Sequence, residues 1–158
     1  MKFSAQEEYG LRCLLQIARS DDGSMTIPEI SKVEGMSQTH VAKLLMILRK
    51  DGFIKSTRGQ AGGYALARPA EEINVGDVLT SLGGKLFDEE FCAKHSGQLS
   101  ICTHAVDCSV RSLWQVIQEA VDQVTGGISL ADMMNEDEPK SNVSFMSAPP
   151  SREKVGHR

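Results

Sequence analysis

Apolar positions recur every three or four residues along much of the first half of the chain, with polar residues between them. Leu11, Leu14, Leu15 and Ala18 form one such stripe and predict a helix over residues 4–18. Ser4 and Glu7 have capping-box spacing at its start, so each side chain can satisfy the other residue's free backbone N–H. Asp21-Asp22-Gly23-Ser24 predicts a turn. Thr26-Ile27-Pro28-Glu29 opens a second, short helix with another capping box, ending near Gly35. Ser37 caps a third helix whose apolar face is Val41, Leu44, Leu45 and Leu48. Met36 and Val41 are placed as a hydrophobic staple at its start, and Asp51-Gly52 stops it.

The period then changes. Residues 53–57 read as a strand, Gly59-Gln60-Ala61-Gly62-Gly63 as a flexible turn, and Tyr64-Ala65-Leu66 as the returning strand. Helical spacing resumes after Asn74, with Val75, Val78, Leu79 and Leu82 apolar, and stops at Gly83-Gly84. Residues 87–107 show no clear period. A long helix is expected over residues 108–124, where Val110, Trp114, Ile117, Val121 and Val124 are spaced 4, 3, 4, 3, a heptad seam two repeats long. Such a seam suits pairing with a second copy, because Trp114 and its neighbours would otherwise be an exposed stripe. A helix buried within its own domain is the alternative. Residues 128–134 add a last short turn, and the polar, proline-bearing chain beyond Asn135 is expected to be disordered.

The predicted fold is therefore mainly α with a small β-hairpin wing. It comprises a winged helix-turn-helix over residues 1–84, a cysteine-rich loop over 85–107, a dimerisation helix with its final short turn over 108–134, and the tail over 135–158.

Composition narrows the class. No apolar run approaches the ~20 residues that a membrane span needs, and the first ten residues lack the basic-then-apolar pattern of a signal peptide. Four cysteines are too few for a secreted disulfide scaffold. In a reducing compartment, clustered cysteines serve more often as metal ligands or redox centres. The expectation is a cytoplasmic protein with no membrane partner. The net charge is −4, yet residues 32–68 hold seven Lys/Arg against two acidic residues, whereas from Pro69 onward seven basic face fourteen acidic. A basic segment inside an acidic protein suits a local phosphate-contact surface, and equally an ordinary solvated face.

In a winged helix-turn-helix the second helix of the pair enters the major groove and its N-terminal residues meet base edges. Ser37 starts the third helix here, and Gln38, Thr39, His40 and Lys43 lie off its apolar face, with the donors and acceptors that base reading uses. The hairpin adds Arg58 and Gly59 on a glycine-rich tip that can approach a backbone closely and suits phosphate or minor-groove contact. Gly52-Phe53-Ile54, Ser56, then Arg58-Gly59-x-x-Gly62-Gly63-Tyr64-x-Leu66-Ala67-Arg68 resembles the wing signature of the Rrf2 family of bacterial regulators. The opening Met1-Lys2-Phe3-Ser4 and the late Ile128-Ser129-Leu130-Ala131-Asp132 are also similar to it, so the likeness runs over about residues 1–134. It implies a homodimer on a near-palindromic double-stranded DNA operator, usually acting as a repressor, and not an enzyme.

Cys92, Cys102 and Cys108 form a C-x9-C-x5-C pattern just before the long helix. Thiolates are the usual ligands of iron–sulfur clusters. Zinc would accept the same atoms with His95 or His104 as fourth ligand, although the lack of a C-x2-C pair disfavours a zinc finger. Purely structural thiols, a cluster-free thiol switch and a thiol oxidoreductase are the other readings. The oxidoreductase would want a close C-x-x-C pair that the sequence lacks. The resemblance favours iron–sulfur, since sensor members of the family carry three cysteines in this loop, and 2Fe–2S, common in the family, is favoured over 4Fe–4S. Two departures stand out: the nine-residue gap is longer than is usual, and Arg111 stands where some members have a histidine ligand. Guanidinium has no lone pair to offer. For the fourth ligand, His95 and His104 are local candidates, and the resemblance selects Glu8. Nitric-oxide-sensing members carry an acidic ligand at that place in the first helix, donated across the dimer. Glu8 is left over by the capping box at Glu7 and aligns with Leu15 at the edge of the apolar stripe, though a carboxylate favouring the helix N-terminus would look the same. Cys13, beside Leu14, reads as a small buried residue.

Overall fold

A computed structural model describes residues 3–59, 62–88, 90–96 and 108–135. Six helices of the head and arm follow the predicted order: α1 (Ala5–Arg19), α2 (Ile27–Glu34), α3 (Gln38–Lys50), α4 (Val75–Gly83), α6 (Ser109–Gly126) and the short α7 (Leu130–Met134). A four-residue helix α5 (Phe91–Lys94) precedes α6, and a 3-10 turn (Ala70–Glu72) precedes α4; both are too short to leave a period in the sequence. The starts are chemically marked. Ser4 accepts from the Glu7 N–H and Thr26 from the Glu29 N–H, each in a complete capping box, and Ser37 and Asn74 cap α3 and α4. Gly35 ends α2 in the left-handed region at φ 66°, a conformation that costs a residue with a Cβ more than it costs glycine.

The core lies where α1 crosses α3 and α4. Cys13, Leu14 and Ile17 of α1 meet Val41, Leu44, Leu45 and Leu48 of α3, with Ile30, Ile73, Val78 and Leu82 closing the sides. Gly10 lies so close to Leu82 that an added Cβ would fall 2.4 Å from the leucine side chain, which is how α1 and α4 approach. Strands β1 (Ile54–Ser56) and β2 (Tyr64–Leu66) form the antiparallel wing in the register Ile54↔Leu66, Lys55↔Ala65, Ser56↔Tyr64. The segment after α6 returns to the head. The Leu130 N–H donates to the Ile73 carbonyl (2.8 Å), the Val75 N–H donates to the Ile128 carbonyl (2.9 Å), and Leu130 is fully buried in the head's core. The chain thus leaves the head as α6 and is pinned back onto it at α7. No helix among the described residues is long and apolar enough to cross a membrane.

Candidate nucleic-acid interface and cysteine loop

The turn between α2 and α3 holds its shape through Ser31, whose hydroxyl donates to the Met36 carbonyl (2.5 Å), and the Met36 N–H donates to the Ser31 carbonyl (3.2 Å). This delivers Ser37, Gln38 and Thr39 to the exposed N-terminal end of α3, with Lys43 one turn further on the same side. His40 is placed differently. It is half-buried, with its ring edge-on to Tyr9 of α1 at 5.6 Å between centroids, so it packs α3 on α1 as well as bordering the exposed face. The angle between α1 and α2 is held by Glu34. Its nearly buried carboxylate accepts from Arg12 (2.6 Å) and from Gln16 (2.7 Å), and the Arg12 guanidinium also lies over the Tyr9 ring.

The wing is anchored to the head by a second pairing that its own turn does not supply. Met25 and Tyr64 exchange backbone hydrogen bonds in both directions, at 2.9 and 2.8 Å. Gly63 makes this possible: its φ is 129°, and a Cβ there would meet the Met25 carbonyl oxygen at 2.9 Å. Arg58 and Gly59 are exposed at the tip, Lys55 is exposed on β1, and Arg49 of α3 reaches Ser56 (3.3 Å). Gln60 and Ala61 lie outside the described residues. Arg68 leaves this surface and covers the Phe53 ring. Five of the seven basic residues in 32–68, Lys43, Arg49, Lys50, Lys55 and Arg58, are thus exposed on α3 and the wing.

The long helix α6 buries little of itself. Gln118 is its one buried residue. The Gln118 amide oxygen accepts from the Phe87 N–H (3.0 Å), and its nitrogen donates to Asp122 (2.7 Å), tying the chain after α4 to α6. Val121 is half-buried and lines a cavity of about 100 Å³ with Leu79 and Thr80 of α4, and Ile117 is half-buried against Leu86, Phe87, Phe91 and Trp114. Two of the five seam residues therefore face the protein's own core side. Val110, Trp114 and Val124 are exposed, and so are Leu113 and Val116, at 54% and 61%, which the seam omitted. Positions 113, 116, 120 and 124 share one helix face, a 3-4-4 spacing that follows the apolar face just beside the chosen seam.

Of the cysteines, Cys92 sits in α5 and Cys108 is the N-cap of α6, its sulfur accepting from the Arg111 N–H at 3.4 Å; both are free and half-buried. Cys102 and His104 lie outside the described residues. Phe91, next to Cys92, stacks on His95 at 4.1 Å and approaches Trp114 at 6.5 Å, so α5 rides on α6 through its aromatic ring. The His95 Nδ1 donates to the Phe91 carbonyl (2.8 Å), which in the neutral ring leaves a lone pair on Nε2. Glu8 is exposed in the first turn of α1, and its side chain makes no hydrogen bond or ion pair among the described residues. Cys13 is a different kind of thiol: burial, and secondarily the Glu34 carboxylate, push it up to about 12, so it stays protonated and is unsuited to ligation. Soft thiols at Cys92 and Cys108 fit an iron-binding donor set; among the described residues alone no group of three His, Cys, Asp or Glu side chains comes together.

Comparison with known proteins agrees with this architecture. Residues 3–136 match the model of the Rrf2 family, described as an iron-dependent transcriptional regulator. Protein rrf2 of Nitratidesulfovibrio vulgaris is 34% identical over 137 residues, 86% of this chain and 89% of that protein. Among solved structures, T. potens IscR superposes with a TM-score of 0.66 at 29% identity, covering 85% of this chain and 86% of that one. CymR, the global cysteine regulator of B. subtilis, gives 0.62 at 27% identity, covering 85% and 96%.

Proposed function

The chain belongs to the Rrf2 family of DNA-binding transcription regulators, and from that premise we propose that it is a cytoplasmic homodimeric repressor governed by an iron–sulfur cluster. Ser37, Gln38, Thr39, His40 and Lys43 read base edges of a near-palindromic operator while Arg58 and Gly59 of the wing meet its backbone. The exposed face of α6 pairs two copies. Cys92, Cys102 and Cys108 hold the cluster, 2Fe–2S rather than 4Fe–4S, with Glu8 of the other copy as fourth ligand and His95 as the local competitor. When bound, the cluster supplies a centre that responds to iron supply, oxidants or nitric oxide. The chain's own part is to offer the thiols of α5, the loop after it and the N-cap of α6, and the carboxylate on the first turn of α1.

The observation that carries this reading is the pair of free, half-buried thiols, Cys92 in α5 and Cys108 at the N-cap of α6. A second reading has support as well. Likeness to a protein described as a global cysteine regulator, together with free thiols, suits a cluster-free thiol switch. One spectrum separates the two. Protein purified without oxygen is expected to be coloured, with visible absorption that disappears in Cys102→Ser; a colourless protein with stoichiometric reactive thiols would establish the switch instead. Glu8→Ala, His95→Ala and His104→Ala then assign the fourth ligand, the expected outcome being an altered spectrum in Glu8→Ala alone.

A further inference from the structure

The face of α3 that points directly away from the core carries Thr39, Lys43, Met46 and Lys50, spaced 4, 3, 4 along the helix, and all four are exposed. Three of these are polar or cationic, as a solvated or phosphate-facing surface requires. Met46 is neither, and it is 67% exposed. A single apolar side chain on an open surface needs no partner. This one stands in a stripe between Lys43 and Lys50, three residues before Arg49, which reaches Ser56 at the foot of a wing that exposes Lys55 and Arg58. Exposed cations before and after it on the same helix face fit a polyanion laid along the helix. The polyanion has one common apolar group on its major-groove edge, the thymine C5-methyl, and an apolar side chain is the partner that group takes.

We infer that Met46 is a specificity-determining residue that contacts a thymine methyl in each half-site. The inference rests on the proposal that α3 reads the major groove. The unbranched thioether suits the role, because it adapts to the methyl without demanding a hydrogen bond. The seven residues from Thr39 to Met46 advance the helix by about 10 Å, or about three base steps. The thymine accordingly lies about three base pairs from the position that Thr39 governs.

The test needs a bound sequence and one chemical deletion. A duplex is selected from random DNA by the full-length protein, then resynthesised with each thymine replaced singly by deoxyuridine, which removes only the methyl. At one thymine per half-site the replacement is expected to weaken wild-type binding about fourfold, the worth of one buried methyl, and to leave Met46→Ala unaffected. Met46→Gln is expected to bind with a changed base preference at that position. If deoxyuridine effects are the same in wild type and Met46→Ala at every thymine, the inference is overturned while α3 reading stands, provided Gln38→Ala and Thr39→Ala still alter base preference. If those variants change nothing either, the reading of α3 falls and the Met46 contact with it.

Discussion

The head and the α6 arm solve the problem of apolar surface in opposite ways. In the head, α1 and α3 each turn a stripe inward, and Leu14, Ile17, Leu44, Leu45 and Leu48 are at most 1% exposed. In α6, a longer helix of 18 residues, the one buried side chain is a glutamine, while Val110, Leu113, Trp114, Val116 and Val124 face outward. The head's apolar stripes are thus covered within the chain, whereas this part of α6 is not covered by the described residues. A stripe of five large apolar residues on one helix is costly to leave in water and inexpensive to cover with a copy of itself. With the proposed pairing of two copies through this stripe, stability and assembly are expected to be separable, and mutations to sort by which region they touch.

The sharpest break is on the arm. Leu113→Asp with Val116→Asp is expected to yield a monomer by sedimentation, with unchanged thermal unfolding of the head. Operator affinity should fall on the order of a hundred- to ten-thousand-fold, as the avidity of two linked half-sites is lost. Val121→Asp should behave otherwise, lowering the melting temperature, because Val121 lines the cavity against α4. If the double variant remained dimeric, the pairing face would lie elsewhere.

Leu45→Ala is the mirror experiment in the head. Its side chain is fully buried, so truncation should cost about 2–5 kcal/mol of unfolding free energy, read by denaturant titration. Dimerisation at temperatures where the protein is folded should be preserved. On the DNA side, Arg58→Ala should weaken operator binding about tenfold, as loss of one charged phosphate contact implies. It should also lower the slope of log affinity against log salt by about one unit; an unchanged slope would remove the wing tip from the interface.

The smallest effect concerns Cys13. Its thiol is raised from an ordinary 9.0 to about 12 by burial. The folded state therefore holds the proton that the unfolded chain releases first. That contribution to stability is complete below pH 9 and declines as pH rises from 9 toward 12. Cys13→Ala should flatten the alkaline decline relative to wild type and leave stability against pH unchanged in shape near neutrality. The cysteines of the arm should alkylate readily in metal-free protein, while Cys13 does not.

Local chemistry made most of the head legible from the sequence. Capping boxes at Ser4 and Thr26, the caps at Ser37 and Asn74, the left-handed glycine at 35 and the glycine-rich wing depend on residues within a few positions of one another, so their spacing was sufficient. The wing signature also carried the family. Period alone identified α6, since an apolar face is a local property.

What covers a face is not local, and there the tertiary structure decided. Of the seam Val110, Trp114, Ile117, Val121 and Val124, three residues are exposed and two, Ile117 and Val121, are half-buried, while Leu113 and Val116 beside them are exposed. All of these lie on one broad apolar arc; Val121 meets α4, and Ile117 meets Leu86, Phe87 and Phe91 of the chain that follows α4. The same holds for His40, drawn half-inward by Tyr9, 31 residues earlier, and for Met46, whose outward position follows from the four α3 residues that the core claims. Glu34 reads in sequence as a charge at a helix end. Only the fold brings Arg12 and Gln16 to it. Periodicity states that a helix has an apolar side and a polar side; which neighbour takes each side is set by packing between segments far apart in the chain, and that information exists only once they meet.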